Sequence, residues 1–358
     1  MTGHDRQPRR QRHGLRAFAL VGAASLIATG CGPKNGENSL HPNGPAAHTI
    51  LDLFTPFFYI AVVIGIGVLA ATVILPLKFR AGAGNENPKQ THGNTTLEIT
   101  WTIIPALILA VMAIFTVPTI FKLARIPKGP DVIHVEVRGK QWWWEYKYEK
   151  EKIFTANELH IPINRPVVLT LTSDNVIHDF WVPELSGKKD VVPGERHTEV
   201  IEAERPGTYL GQCAEYCGLG HADMRLRVVA ETQAEYDKWV LGEQALLSPA
   251  DKKFVTDVLG AKYGCTACHM IQGGISQAEV GPNLTHLASR SIFAGGKYDL
   301  TYDNLWRWVW DAPSRKPNSC PRLPQPDPCA VGMPSFKNSV GMTQSEAQQI
   351  ANFLLKLK

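Results

Sequence analysis

The chain is poor in cysteine and in net charge. Seven cysteines in 358 residues are too few for a disulfide scaffold. A formal net charge of +4, spread over blocks of both signs, lacks the basic footprint of a nucleic-acid-binding protein. Charged residues are 20% and hydrophobic ones 44%, so the chain is neither disordered nor wholly embedded in a membrane. Nine Trp and 25 Pro suit loop-rich extracytoplasmic domains better than a helical bundle. At ~100–200 residues per domain, two or three domains are expected. The cysteines fall in pairs, Cys213/Cys217, Cys265/Cys268 and Cys320/Cys329, with Cys31 alone. A simple soluble cytosolic enzyme is excluded.

Arg9, Arg10, Arg12 and Arg16 precede an apolar run over 17–29, and Gly30-Cys31 follows. That order predicts a secretory signal over 1–30. Ala28-Thr29-Gly30-Cys31 looks like a bacterial lipobox, which would lipidate Cys31 and make it the start of an extracytoplasmic segment, 31–52. A plain anchor with an incidental cysteine is the alternative. Two uncharged runs, 53–77 and 99–121, each reach the ~20 residues needed to cross a bilayer. They predict a transmembrane hairpin over 53–122. Its short connection holds Lys78, Arg80 and Lys89, so the positive-inside rule puts it in the cytoplasm and the long remainder outside.

Residues 131–231 read as an all-β domain. Apolar and polar residues alternate over 132–137, 167–172, 197–203 and 224–230, with turn signals Pro193-Gly194 and Pro206-Gly207 between them. Short strands at this spacing predict a sandwich or Greek-key barrel. The chemistry lies in Cys213-Ala-Glu-Tyr-Cys217-Gly-Leu-Gly-His221-Ala-Asp-Met224, with His178 upstream. Soft sulfur ligands favour copper. Two thiolates can bridge two copper ions, with His178 and His221 completing one each and Met224 and a backbone carbonyl as weak donors. A Cys213–Cys217 disulfide would leave His221 and Met224 unexplained, and zinc rarely recruits Met.

These features resemble subunit II of a haem–copper cytochrome c oxidase, with its hairpin and its cupredoxin domain holding a dinuclear CuA centre. The resemblance implies Cys213 and Cys217 as bridging ligands, completed by His178, His221, Met224 and the Glu215 carbonyl. It implies that the Glu215 side chain reaches a magnesium or manganese ion shared with the catalytic subunit. Gly139-Lys-Gln-Trp142-Trp-Trp144-Glu-Tyr146 resembles the family's aromatic segment, which makes Trp142 the point where electrons enter. Lys140 and Trp143 stand where the family more often has His and Tyr. Leu97-Glu98-Ile-Thr-Trp101 resembles the start of the family's second helix, whose Glu lies near a proton-path mouth; a charge at a helix end is otherwise an interfacial anchor.

A helical connector is predicted over 232–249, opened by the capping box Thr232-x-x-Glu235. Ser248-Pro249-x-Asp251 opens a further helix, and Gly260 is expected to stop it. Within 250–358, Cys265-Thr-Ala-Cys268-His269 is the c-type haem attachment pattern. Two thiols can add to the haem vinyl groups, and the adjacent His ligates iron. Met333, in Gly332-Met-Pro-Ser-Phe336, resembles the distal loop of small class I cytochromes c, all-α proteins; Met342 is the alternative axial ligand. Gly281-Pro-Asn-Leu284 resembles their haem-edge loop, and His286 after it is expected at the surface or in packing. Cys320 and Cys329, in a Pro-rich loop, would form a disulfide outside the cytoplasm.

The expected whole is a multidomain bacterial inner-membrane protein: hairpin, cupredoxin barrel and fused cytochrome c domain, both soluble domains extracytoplasmic. It would carry two copper ions, one covalent haem c and a magnesium or manganese ion at the subunit interface. Its expected partners are oxidase subunits I and III and, as donor, cytochrome c or a quinol–cytochrome c reductase complex. Electrons would pass from haem c to CuA and on to the haem of subunit I. Oxygen reduction and proton pumping belong to that partner, because this chain lacks the helices and histidines of a haem–copper centre. Nitrous-oxide reductase shares a CuA domain but adds a His-rich propeller that is absent here. Quinol-oxidase subunit II keeps the hairpin and fold but not the copper ligands. A free-standing tethered carrier would need only one span or one lipid.

Overall fold

The structure, a computed structural model, describes residues 36–79, 92–271, 276–316 and 332–358. The signal over 1–30, Cys31 and the Cys320/Cys329 pair lie outside the described residues.

Helices α1 (Pro45–Lys78) and α2 (Thr95–Leu123) contain both predicted spans and extend beyond them. Their starts are set by local chemistry rather than by where apolar residues begin. Pro45 occupies the first turn of α1, where its missing N–H costs nothing. The Asn94 side chain accepts from the Leu97 amide at 3.1 Å and caps α2, as an N-cap should. Both helices are apolar and exposed along almost their whole length, and each is long enough to span a membrane. The N-terminal end of α1 is tied to the β-sandwich. The Asn43 amide donates to the Glu184 carbonyl at 2.7 Å, and His48 pairs with Glu204 at 3.2 Å. A side chain at Gly44 would sit 2.2 Å from the Glu202 carbonyl, so only glycine permits this close approach.

Ten strands follow: β1 (Ile133–Lys140), β2 (Trp143–Tyr148), β3 (Ile153–Ala156), β4 (Glu158–Pro162), β5 (Val167–Ser173), β6 (His178–Trp181), β7 (Lys188–Val191), β8 (His197–Ile201), β9 (Gly207–Cys213) and β10 (Arg225–Glu231). They form two five-stranded sheets, ordered β3-β2-β1-β5-β8 and β4-β10-β9-β6-β7. The parallel pairs β1·β5 and β4·β10 join strands distant in sequence, which gives the cupredoxin-like sandwich. The predicted strands are β1, β5, β8 and β10. The others lack the alternation that would reveal them: β4 is buried at all five positions and β2 at five of six. Trp144, Tyr146, Tyr148, Phe180 and Met224 fill the space between the sheets.

Helix α3 (Gln233–Glu243) opens with the Thr232–Glu235 capping box. Its Trp239 stacks on His160 with ring centroids 4.5 Å apart, which fixes the connector to the sandwich. Helix α4 (Pro249–Phe254), capped by Ser248, runs on into a π-helical turn, Val255–Lys262. Gly260 therefore lies inside the turn rather than ending it. The chain reverses at Gly264, at φ 68, a left-handed conformation that glycine adopts freely. Helices α5 (Tyr302–Arg315), α6 (Phe336–Ser339) and α7 (Gln344–Leu354) complete a second core around Val309, Phe336, Ile350 and Leu354. This C-terminal part is mainly helical, but it also carries a two-residue strand pair, β11 (Ile292–Phe293) and β12 (Tyr298–Asp299). His286 is 5% exposed, with neither ring nitrogen paired among the described residues.

Candidate functional site

At one end of the sandwich, β9 delivers Cys213 and β6 begins at His178. Between β9 and β10 the chain makes one compact loop whose 3-10 turn, His221–Asp223, returns Met224 to the core. The Cys213 and Cys217 sulfurs are 3.8 Å apart. Around them lie His178 Nδ1 at 3.9 Å and the Glu215 carbonyl at 3.3 Å from Cys213. His221 Nδ1 at 3.7 Å and Met224 Sδ at 3.8 Å face Cys217. His178, Cys213 and Cys217 make a buried group whose ligand atoms lie within 4.8 Å of one another. All six residues of the expected copper set are thus brought together, as three soft sulfurs, two imidazoles and a carbonyl. The sulfurs share a proton: the hydrogen bond between them holds Cys213 well below the usual thiol value and Cys217 above it.

Supporting residues fix this geometry. Asn175 Oδ1 lies 3.0 Å from His178 Nε2, which leaves Nδ1 turned to the sulfurs. A Cβ at Gly139 would come 2.7 Å from the His178 ring, so β1 packs flush against the ligand. Asn175 falls in the same short stretch as His178, so the sequence held that signal; nothing local marks Gly139. Glu215 is exposed, as are Tyr216 and Leu219 of the same loop. Glu98 lies in the first turn of α2, where its carboxylate accepts from the Asn94 amide at 3.3 Å.

A second site opens against the first. A cavity of about 700 Å³ is walled by Cys265, Cys268, His269 and Met333 from the C-terminal part and by Lys140 and Trp142 from the sandwich. His269 Nδ1 donates to the Pro282 carbonyl at 2.7 Å, and burial holds the imidazole below its usual pKa, hence neutral. Such a ring, anchored at Nδ1, presents Nε2 as a metal donor. Gly281 lies flat on it, with a Cβ position only 2.6 Å from the ring. Arg290, buried in the cavity wall, leaves Nε without a partner among the described residues. Its Nη2 donates to the Asn283 carbonyl, so Nε is its open donor. Thiols, an imidazole, a thioether and this guanidinium around an apolar space of such size suit a covalent haem with its carboxylates. Met342 is buried elsewhere in the C-terminal core and does not line the cavity.

Trp142 stands between the two sites. It is 6% exposed, its Nε1 donates to the Cys217 carbonyl at 3.0 Å, and its ring lines the cavity. Gln141 Nε2 donates to the same carbonyl at 2.8 Å. Lys140, buried beneath the C-terminal part, bonds Glu145 at 2.8 Å and the Glu279 carbonyl at 2.5 Å.

A membrane hairpin bearing a cupredoxin-like sandwich, with sulfur and imidazole ligands clustered at one end, defines a membrane-bound electron-transport protein. Residues 149–232 match the family "Cytochrome C oxidase subunit II, periplasmic domain", and residues 40–119 match its transmembrane domain. The chain is 35% identical over 306 residues to cytochrome c oxidase subunit 2 of Alkalihalophilus pseudofirmus, covering 84% of this chain and 89% of that one. It is 37% identical over 230 residues to quinol oxidase subunit 2 of Bacillus cereus, covering 63% and 78%. The solved periplasmic domain of subunit II of cytochrome oxidase from Bradyrhizobium japonicum is 28% identical, spans 34% of this chain and 97% of that one, and gives a TM-score of 0.32. The chain belongs to the cytochrome c oxidase subunit II family, and that family implies a CuA copper site in the matched sandwich.

Proposed function

We propose that this chain is the electron-accepting subunit of a bacterial haem–copper oxidase, with a fused cytochrome c domain serving as its built-in donor. Copper would be held by Cys213, Cys217, His178, His221, Met224 and the Glu215 carbonyl. Haem would be held through Cys265 and Cys268, with His269 and Met333 as donors to its iron and Arg290 as a cation for its carboxylates. Once bound, these groups would supply one-electron transfer chemistry. Trp142 lies between the two sites, walling the cavity on one side and hydrogen-bonded to a copper-loop carbonyl on the other. That placement is the observation that carries the reading.

The residues around the sites keep the groups dry and oriented. Asn175 and Pro282 hold the two histidine rings, and Gly139 and Gly281 let backbone pack against them. Lys140 seals the margin between the domains. The Glu215 carboxylate, with Tyr216 and Leu219 beside it, would face subunit I and a magnesium or manganese ion there. Glu98, at the cytoplasmic end of α2, would stand at a proton-path mouth. Subunit III, a cytochrome c or a quinol–cytochrome c reductase complex would complete the chain of partners, in the cell membrane with both soluble domains outside. The intact set of sulfur and imidazole ligands favours a copper-bearing subunit over a quinol oxidase one. The test is metal and haem analysis of the purified oxidase. Two coppers and one covalent haem in this chain are expected; one copper, or zinc, would sink the dinuclear assignment.

A further inference from the structure

Lys316, just beyond the end of α5, is 4% exposed. Its Nζ donates to three backbone carbonyls: Trp142 at 2.9 Å, Asp223 at 2.8 Å and Ala294 at 2.8 Å. Two of these belong to the sandwich, one on the Trp142 segment and one next to Met224 in the copper loop. The third belongs to the C-terminal part. Three converging carbonyls need three N–H donors, which only the ammonium form supplies. Beside it, the Arg225 amide donates to the Gly295 carbonyl at 2.7 Å. Gly295, at φ 72, approaches so closely that a Cβ would lie 2.3 Å from the Trp142 carbonyl. The cross-domain ion pairs Lys297–Asp223, Arg227–Asp299 and Arg138–Glu279 are partly solvated and are screened accordingly.

We propose that Lys316 is a positioning residue: by binding the Trp142 and Asp223 carbonyls it fixes the haem-attachment cavity against the copper loop in one geometry. The inference rests on the functional reading above. It makes the docking of the two domains a standing feature of the chain rather than an encounter, because separating them strips acceptors from a buried Nζ whose pKa burial lowers to about 7, and a buried donor without an acceptor is costly. Placement matters at this scale, since a shift of ~1 Å can cost ~10²-fold in rate.

The test uses the intact oxidase with Lys316→Met, which keeps the apolar stem and removes the donors. Gly295→Ala, which wedges the same contact from its other side, is the second variant. Hydrogen exchange is read at the Arg225 segment and at α7, and electron arrival at copper is followed at several solvent viscosities. Both variants are expected to speed exchange at Arg225 by about tenfold or more while α7 stays protected. Transfer should slow by about tenfold and become viscosity-dependent. Unchanged Arg225 exchange with viscosity-independent transfer in Lys316→Met overturns the proposal. Simultaneous loss of α7 protection also overturns it, because the lysine would then hold the C-terminal domain together rather than place it. If the wild-type oxidase contained no covalent haem, the functional reading would fail, and exchange at Arg225 would still decide whether Lys316 joins the domains.

Discussion

The indole Nε1 of Trp142 donates to the carbonyl of Cys217 at 3.0 Å. One residue therefore touches the Cys213–Met224 loop through its ring nitrogen and also lines the cavity, while its own carbonyl accepts from Lys316. Substituting Phe keeps an aromatic ring but removes the N–H. Trp142→Phe is expected to retain full copper and haem content and to slow electron arrival at copper about tenfold. Rapid-mixing spectroscopy of the purified oxidase measures this; an unaltered rate would take Trp142 off the path.

Cys217 contacts Cys213, His221 and Met224 through its sulfur. Cys217→Ser removes one of the two soft thiol donors proposed to hold copper, with almost no change of volume. Copper should fall from two ions per chain to one or none, as metal analysis would show.

Copper capture should depend on pH. The paired sulfurs hold one proton between them, with Cys213 lowered by the Cys217 hydrogen bond and Cys217 raised. Two thiolates are needed to bind metal, so binding expels that proton. Because Cys217 lies above the ordinary thiol range, affinity should climb with pH throughout the neutral range, about tenfold per unit for one proton released. Copper titrations in buffers of different ionisation enthalpy count the protons; a pH-independent affinity would contradict the shared-proton arrangement.

Gly281 supports His269 by having no side chain. In Gly281→Ala the new methyl carbon would lie 2.6 Å from the imidazole, forcing the ring away from Pro282. Overpacking of this kind costs ~1–3 kcal/mol. The variant should keep its haem attached through Cys265 and Cys268 but show an altered axial-ligand spectrum.

Glu158 is 2% exposed and accepts from the Ser291 amide at 2.8 Å, the Ile292 amide at 2.9 Å and the Ser291 hydroxyl. Glu158→Ala strands buried donors of the C-terminal part at its boundary with the sandwich, at ~1–3 kcal/mol. Thermal unfolding should shift the C-terminal part to lower temperature. Glu158→Gln, which restores an acceptor, should recover most of the loss.

The sequence by itself determined whatever is encoded within about a dozen neighbouring residues. The loop Cys213–Met224 carries five of the six residues proposed to hold copper within twelve positions. The Cys265–His269 pentad carries its spacing with it. The two spans follow from length and apolarity, and the caps at Thr232 and Ser248 satisfy amides only three residues away. Such contacts need no knowledge of the rest of the molecule, because local backbone geometry brings the atoms together. Tertiary structure decided the remainder. Strands β2, β4, β6 and β7 are too buried or too short to show a period of two. The π-helical turn past Gly260 belongs to the packing of the C-terminal core. The meeting of Lys316 with Trp142, 174 positions apart, and of Glu158 with Ser291 has no local signature. Each is selected because a buried donor or charge must find an acceptor, and which acceptor is near depends on how two separately folded parts lie against each other.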